Sequence, residues 1–186
     1  GLAMQPVTPQ FVQASLTAQA EDIKVGEYRY RPDISGQTPC VREQGPEGQR
    51  TYPMAHALGG KNVYYLLTPL ERGRLQVLPV AYDVHLRKWF DTTGSMVRHS
   101  ADRKDRPVGW RSSTLTFNTA CYNCHVSQLN SNYNLTTDTY HTVWGEPGIN
   151  CETCHNGGAE HVRVCQAAPK GQPPADLKIT STKIMS

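Results

Sequence analysis

The stretch Cys121–Leu129, CYNCHVSQL, and its partial echo thirty residues on, Cys151–His155, CETCH, decide how the rest of this chain is read. Each carries two cysteines separated by two residues, with a histidine directly after the second. A thioredoxin-type redox pair needs one Cys-x-x-Cys in a βαβ setting, and neither the duplication nor the setting fits. Structural zinc could draw four cysteines from two such pairs, but it sets no requirement for a histidine beside each. Covalent haem attachment uses all three residues. Two thiols add to the two porphyrin vinyl groups, and the adjacent histidine is carried to one axial face of the iron. On this reading Cys121 and Cys124 hold one haem c with His125 as its proximal ligand, and Cys151, Cys154 and His155 do the same for a second.

Composition agrees with a core that is not all side chain. The chain has 186 residues, enough for one domain or one domain with an added lobe, yet only 38% are hydrophobic, and 15 glycines and 13 prolines are present. Two haems are large apolar plates that stand in for side chains, so a segment with little regular structure can fold around them. The aromatic residues Trp110, Tyr122, Tyr133, Tyr140 and Trp144 are packing partners for the porphyrins or ordinary core residues. The formal charge of +3, from 19 basic and 16 acidic residues without a long run of either sign, argues against nucleic acid as a partner. No apolar run approaches the roughly 18 residues of a membrane span, and the opening GLAMQPVTPQ lacks the regions of a secretion signal, so a soluble, processed or excerpted chain is expected. The two cysteines outside the repeats, Cys40 and Cys165, form either a disulfide or two free thiols.

Two irons need sixth ligands, and five histidines remain. His161, in CETCHNGGAEH, is the best placed. Five residues separate it from His155, a link of about 20 Å when fully extended. It can serve its own haem only by wrapping round the rim, and reaches a neighbouring haem more easily, which would put the two cofactors nearly in contact. His141, in DTYHTVW, lies between the grips and can reach either iron. His56, in PMAHALGGK, precedes a Gly-Gly turn and can reach over a haem edge. His99 sits in a charged loop, and His85 on an exposed strand end is expected to be solvated. Met4, Met54, Met96 and Met185 have no comparable placement, which favours bis-histidine ligation and low potentials.

The fold expected is α+β: a β-meander lobe over residues 1–95, a loop-rich, short-helix haem lobe over 96–166, and a Pro- and Lys-rich tail over 167–186 that reads as a linker or docking arm. Thr8 as N-cap and Pro9 at the first helical position predict a helix over residues 9–18. The runs VGEYRYRPDI, NVYYLLT, RLQVLPVAYDV and RKWFDT, separated by the turns GPEG and LERGR, predict four to six antiparallel strands.

With CYNCH, CETCHNGGAEH and the intervening NYNLTTDTYHTVW, the chain resembles the multihaem c-type cytochromes related to the tetrahaem electron acceptor of hydroxylamine oxidoreductase. The resemblance covers most of residues 1–165. His161 matches a histidine that follows the haem motif in that family, where Gly-Pro-Gly stands in place of the Asn156–Gly158 sequence NGG. The stretch from Gly59 to Thr92 looks like a β-rich insert that such proteins carry before a haem pair. The resemblance implies further haem-bearing segments before and after this stretch in a longer chain or oligomer, redox proteins as partners, and a periplasmic or extracellular location.

Electron transfer is the function these residues favour, since irons with both axial positions filled by protein cannot bind substrate. The alternative is a haem enzyme acting on nitrite or hydroxylamine at an open iron, with Arg163, His99 and Tyr140 as spare polar groups. A gas or redox sensor is a third class. For the β lobe, a structural insert stands against docking or haem shielding.

Overall fold

The computed structural model describes residues 3–93, 109–153, 155–156 and 158–181. The architecture is α+β, with two antiparallel sheets dominating the N-terminal half. Strands β1 (Met4–Pro6), β6 (His56–Gly59), β7 (Val63–Pro69), β8 (Leu75–Asp83) and β9 (Lys88–Asp91) form a five-stranded sheet in the order β1-β6-β7-β8-β9. Strands β2 (Ile23–Val25), β3 (Tyr28–Asp33), β4 (Cys40–Gly45) and β5 (Gly48–Pro53) form a four-stranded meander. The expected meander of four to six strands is therefore two sheets with more strands. The polar strands CVREQG and GQRTYP and the short strands β1 and β6 account for most of the difference. Each of the two polar strands shows the core only alternate or single residues, such as Val41, Glu43 and Tyr52, so neither carries an apolar run.

The helix α1 spans Pro9–Ser15, three residues shorter than expected. Thr8 caps it by accepting from the Phe11 amide at 3.1 Å, and Pro9 occupies the first turn, where an amide would have no partner. Phe11 and Val12 face inward, and Phe11 meets Tyr64 edge to face at 5.1 Å.

The strand β8 is the spine. Gln76 to Tyr82 are all buried, as expected of a strand covered on both faces. Pro79, which has no amide to donate, sits where the β7 to β8 register shifts between Tyr65 and Leu67, and before the pairing with β9 begins at Val80. A bulge is where a central strand tolerates proline. One core joins both sheets and α1 through Tyr30, Val41, Leu66, Leu78, Tyr82 and Trp89.

The second half is fastened to β8 by buried amides. Gln76 donates to the carbonyls of Trp110 (2.6 Å) and Ser112 (3.0 Å) and accepts from the Thr116 hydroxyl at 2.7 Å. Asn118 accepts from the Leu75 amide at 2.7 Å and donates to Gly73 O (3.2 Å) and Thr142 Oγ1 (2.7 Å). Both N–H donors and the oxygen of each of these two side chains are hydrogen-bonded, so their burial is compensated. The Cys40–Cys165 disulfide weighed from sequence is not formed. Both are free thiols, Cys40 half-buried on β4 and Cys165 exposed. The expected lobe boundary at 95/96 lies outside the described residues, and no described helix is long and apolar enough to cross a membrane.

Candidate haem-binding site

The first grip grows directly from the buried seam. Thr116 and Asn118, held on β8, begin the π-helical turn Phe117–Cys121, which passes into the short helix α2, Tyr122–His125. Phe117 is fully buried and anchors the turn. Cys121 is half-buried while Cys124 is exposed. Burial, followed by the neighbouring Cys124, pushes the Cys121 thiol above its ordinary pKa.

His125 is held by its Nδ1, which donates to the Ala3 carbonyl at 2.7 Å. A carbonyl can only accept, so the proton sits on Nδ1 and Nε2 keeps its lone pair, the arrangement of an imidazole that binds metal. The same Ala3 carbonyl accepts from the Gly59 amide of β6 at 2.9 Å, so the end of the five-stranded sheet orients the His125 imidazole.

Directly after His125, strand β10 (Val126–Ser127) pairs with β11 (Glu146–Pro147), and Gly148 donates to the His125 carbonyl at 2.7 Å. The chain then reaches the second grip, whose Cys151–Thr153 turn is capped by Asn150: its Oδ1 accepts from the Thr153 amide at 3.1 Å. Cys151 is exposed, and Cys154 lies outside the described residues. His155 and Asn156 form β12, paired with β13, Thr180–Ser181, so the tail returns to the second grip. The Nδ1 of His155 is buried without a hydrogen-bond partner among the described residues.

Among the candidate sixth ligands, His161 lies on helix α3, Gly158–Ala167. Its Nδ1 donates to the Leu177 carbonyl at 2.7 Å, which leaves Nε2 unprotonated with its lone pair available as an acceptor. Cys165, one turn on, places its sulfur 3.9 Å from both ring nitrogens. His56 on β6 meets Trp144 edge to face at 5.6 Å, and Trp144 in turn meets Phe117 at 5.8 Å, so His56 stands beside the base of the first grip. Its Nδ1 is buried and unpartnered among the described residues, and burial lowers its pKa, favouring the neutral ring that a metal takes. His141 is exposed, and among the described residues its main chain is tied to Ser131 and Asn132. His85 is exposed and donates through Nε2 to Asn62 Oδ1 at 3.1 Å. His99 and Met96 lie outside the described residues, as does Met185, while Met4 and Met54 are buried in the β core.

The surroundings fit a large apolar group. No described residue after Ser127 is buried, and Leu135, Val143, Ile149, Val162 and Leu177 are all exposed. Hydrophobic side chains without a shared interior suit a segment that folds around a porphyrin. Cavities of about 460 and 240 Å³ flank Tyr122 and Leu129, one reaching Tyr133 and Tyr140, the other Thr153 of the second grip. The rings of Tyr133 and Tyr140 lie 4.7 Å apart. Trp110 belongs instead to the β core, edge to face with Tyr52 at 5.1 Å. The contributions of Ala3, Ser127, Thr153 and Leu177 have no motif in the sequence. Two act through main-chain carbonyls, which every residue possesses.

Residues 84–156 match a family model described as cytochrome c554 and c-prime. The match spans both grips and supports a c-type cytochrome, a class with covalent haem c as cofactor and electron transport as its chemistry. Among curated proteins none matches. A solved structure described as the outer cell wall cytochrome OcwA is similar at 18% identity with a TM-score of 0.39. The likeness covers 62% of this chain, which spans only 23% of that one.

Proposed function

We propose that this chain is an electron-transfer segment carrying two covalent haems, one on Cys121 and Cys124 and one on Cys151 and Cys154. His125 and His155 are the proximal ligands, and the sixth positions are filled from His161, His56 and His141. The observation that carries this reading is the His125 imidazole held through Nδ1 at a main-chain carbonyl, inside a motif that occurs twice. His161, held in the same way at Leu177, is the first choice among the sixth ligands.

When bound, haem iron supplies a one-electron change between ferric and ferrous states. The chain's own residues do the rest. The cysteines would fix each porphyrin and the histidines would hold its iron, while the β lobe orients the His125 imidazole through the Ala3 carbonyl. The partners are redox proteins, for which the family resemblance implies an oxidoreductase of nitrogen compounds such as hydroxylamine oxidoreductase. Further haem-bearing segments of a longer chain or oligomer extend the relay, at a periplasmic or extracellular location.

Intact mass and a pyridine haemochrome assay test the count, with two haems per chain expected. Both ferric haems are expected to be low-spin. A stoichiometric high-spin haem that shifts with cyanide or nitrite would replace the relay by an enzyme acting at an open iron. In His161→Ala one of the two haems is expected to become high-spin, and an unchanged spectrum removes His161 from the ligand set.

A further inference from the structure

Resting on the two-haem reading, we propose that Ser127 is the joint that fixes the two haem grips relative to each other, a positioning residue for electron passage between them. It lies two residues after His125, is completely buried, and is the last buried residue described in the chain. A serine hydroxyl donates one hydrogen bond and accepts two. The surroundings of Ser127 match that capacity: Oγ donates to the Gly148 carbonyl at 2.6 Å, accepts from the Asn150 amide at 3.0 Å, and meets Thr153 Oγ1 at 2.6 Å. The Thr153 hydroxyl gives its one proton to Ser127 Oγ and accepts from the Asn150 amide at 3.3 Å.

Asn150 and Thr153 bracket and occupy the second grip, since Asn150 directly precedes Cys151 and Thr153 directly precedes Cys154. One side chain from the first grip's exit strand thus organises the turn that carries the second pair of thiols. From the iron ligand His125 to Cys154 the path runs through Val126, Ser127, a single hydrogen bond and Thr153. The main chain supports the same placement through Gly145, which donates to the Ser127 carbonyl at 3.1 Å. With no described residue buried beyond it, a fully satisfied buried hydroxyl is a strong determinant of spacing. Spacing matters because reducing one haem changes the charge felt by the other, an interaction that falls with distance, and electron tunnelling between fixed centres falls with distance still more steeply.

The deciding substitution is Thr153→Val, which keeps the side-chain shape and removes the hydroxyl, with Thr153→Ser as the conservative rescue and Ser127→Ala as the matching change across the joint. The readouts are haem count by intact mass, the separation between the two reduction steps in a spectroelectrochemical titration, and the ferric electron paramagnetic resonance spectrum. Thr153→Val and Ser127→Ala are expected to shift the separation of the two steps, while Thr153→Ser keeps the wild-type value. Loss of the second haem in Thr153→Val, with retention in Thr153→Ser, supports the same joint. Two haems with an unchanged separation in Thr153→Val, or Thr153→Ser failing as badly as Thr153→Val, overturns it. A wild-type protein without covalent haem defeats the two-haem reading instead, and is recognised before any variant is compared.

Discussion

The two halves of the molecule are built on different interiors. Up to Trp89 the chain fills its own core, with Leu66, Leu67, Leu78 and Val80 wholly buried between two sheets. After Ser127 no described residue is buried, and the apolar side chains Leu135, Val143 and Ile149 lie exposed beside turns held by hydrogen bonds. One half is ordered by hydrophobic burial. The other has hydrogen bonds, one ten-residue helix and sheet pairs of two residues, too little to offset the entropy of ordering some fifty residues without an added core. The difference teaches that fold and cofactor are separable in the first half and inseparable in the second.

The largest effect tests that contrast directly. With Cys121, Cys124, Cys151 and Cys154 all changed to alanine, the chain is expected to lose protection of residues 128–181 in amide exchange and limited proteolysis, while the β lobe keeps its strand signal and its unfolding transition. Persistent protection after Ser127 would break the comparison. Next in size is Leu66→Ala in the β core. It is expected to cost about 2–5 kcal/mol in denaturant unfolding, as for other buried leucines, with the haem absorption bands unchanged. The smallest effect is at the seam, where Arg72 pairs with Asp138 on the surface. Arg72→Ala is expected to move the denaturation midpoint little, and not at all in molar salt. The Tyr133 hydroxyl and then Arg72 hold the Asp138 carboxyl below its ordinary pKa. A carboxylate with a lowered folded pKa stabilises above its unfolded value and loses that contribution as pH falls through the folded one. The small Arg72 contribution is therefore expected to fade in acid, which an unfolding series across the carboxylate range checks.

Much of this division is legible in the residues. The helix start at Thr8 and Pro9, the covered run of β8 and the Cys-x-x-Cys-His pair all state their structures locally. The four-stranded sheet is harder to see because Arg42, Gln44, Gln49 and Thr51 face solvent, leaving CVREQG and GQRTYP without a hydrophobic signature. In the site, the motif residues are explicit, but their supports are not. Ala3 and Leu177 act through carbonyls, Ser127 acts through burial rather than residue type, and Asn118 and Gln76 look like any surface amide until the packing encloses them. Long-range pairings of this kind depend on which loops meet, a property of the fold and not of any window of sequence.

The shared carbonyl of Ala3 has a consequence for evolution and engineering alike. Because it takes one hydrogen bond from Gly59 and another from His125, the phase of an edge-strand ladder is read out at the imidazole proposed as an iron ligand. Slipping β1 by one residue against β6 would turn each group to the opposite side of the pleat and offer the imidazole a different acceptor. Insertions or deletions in this marginal strand should therefore be felt as changes of colour and potential before they are felt as losses of fold.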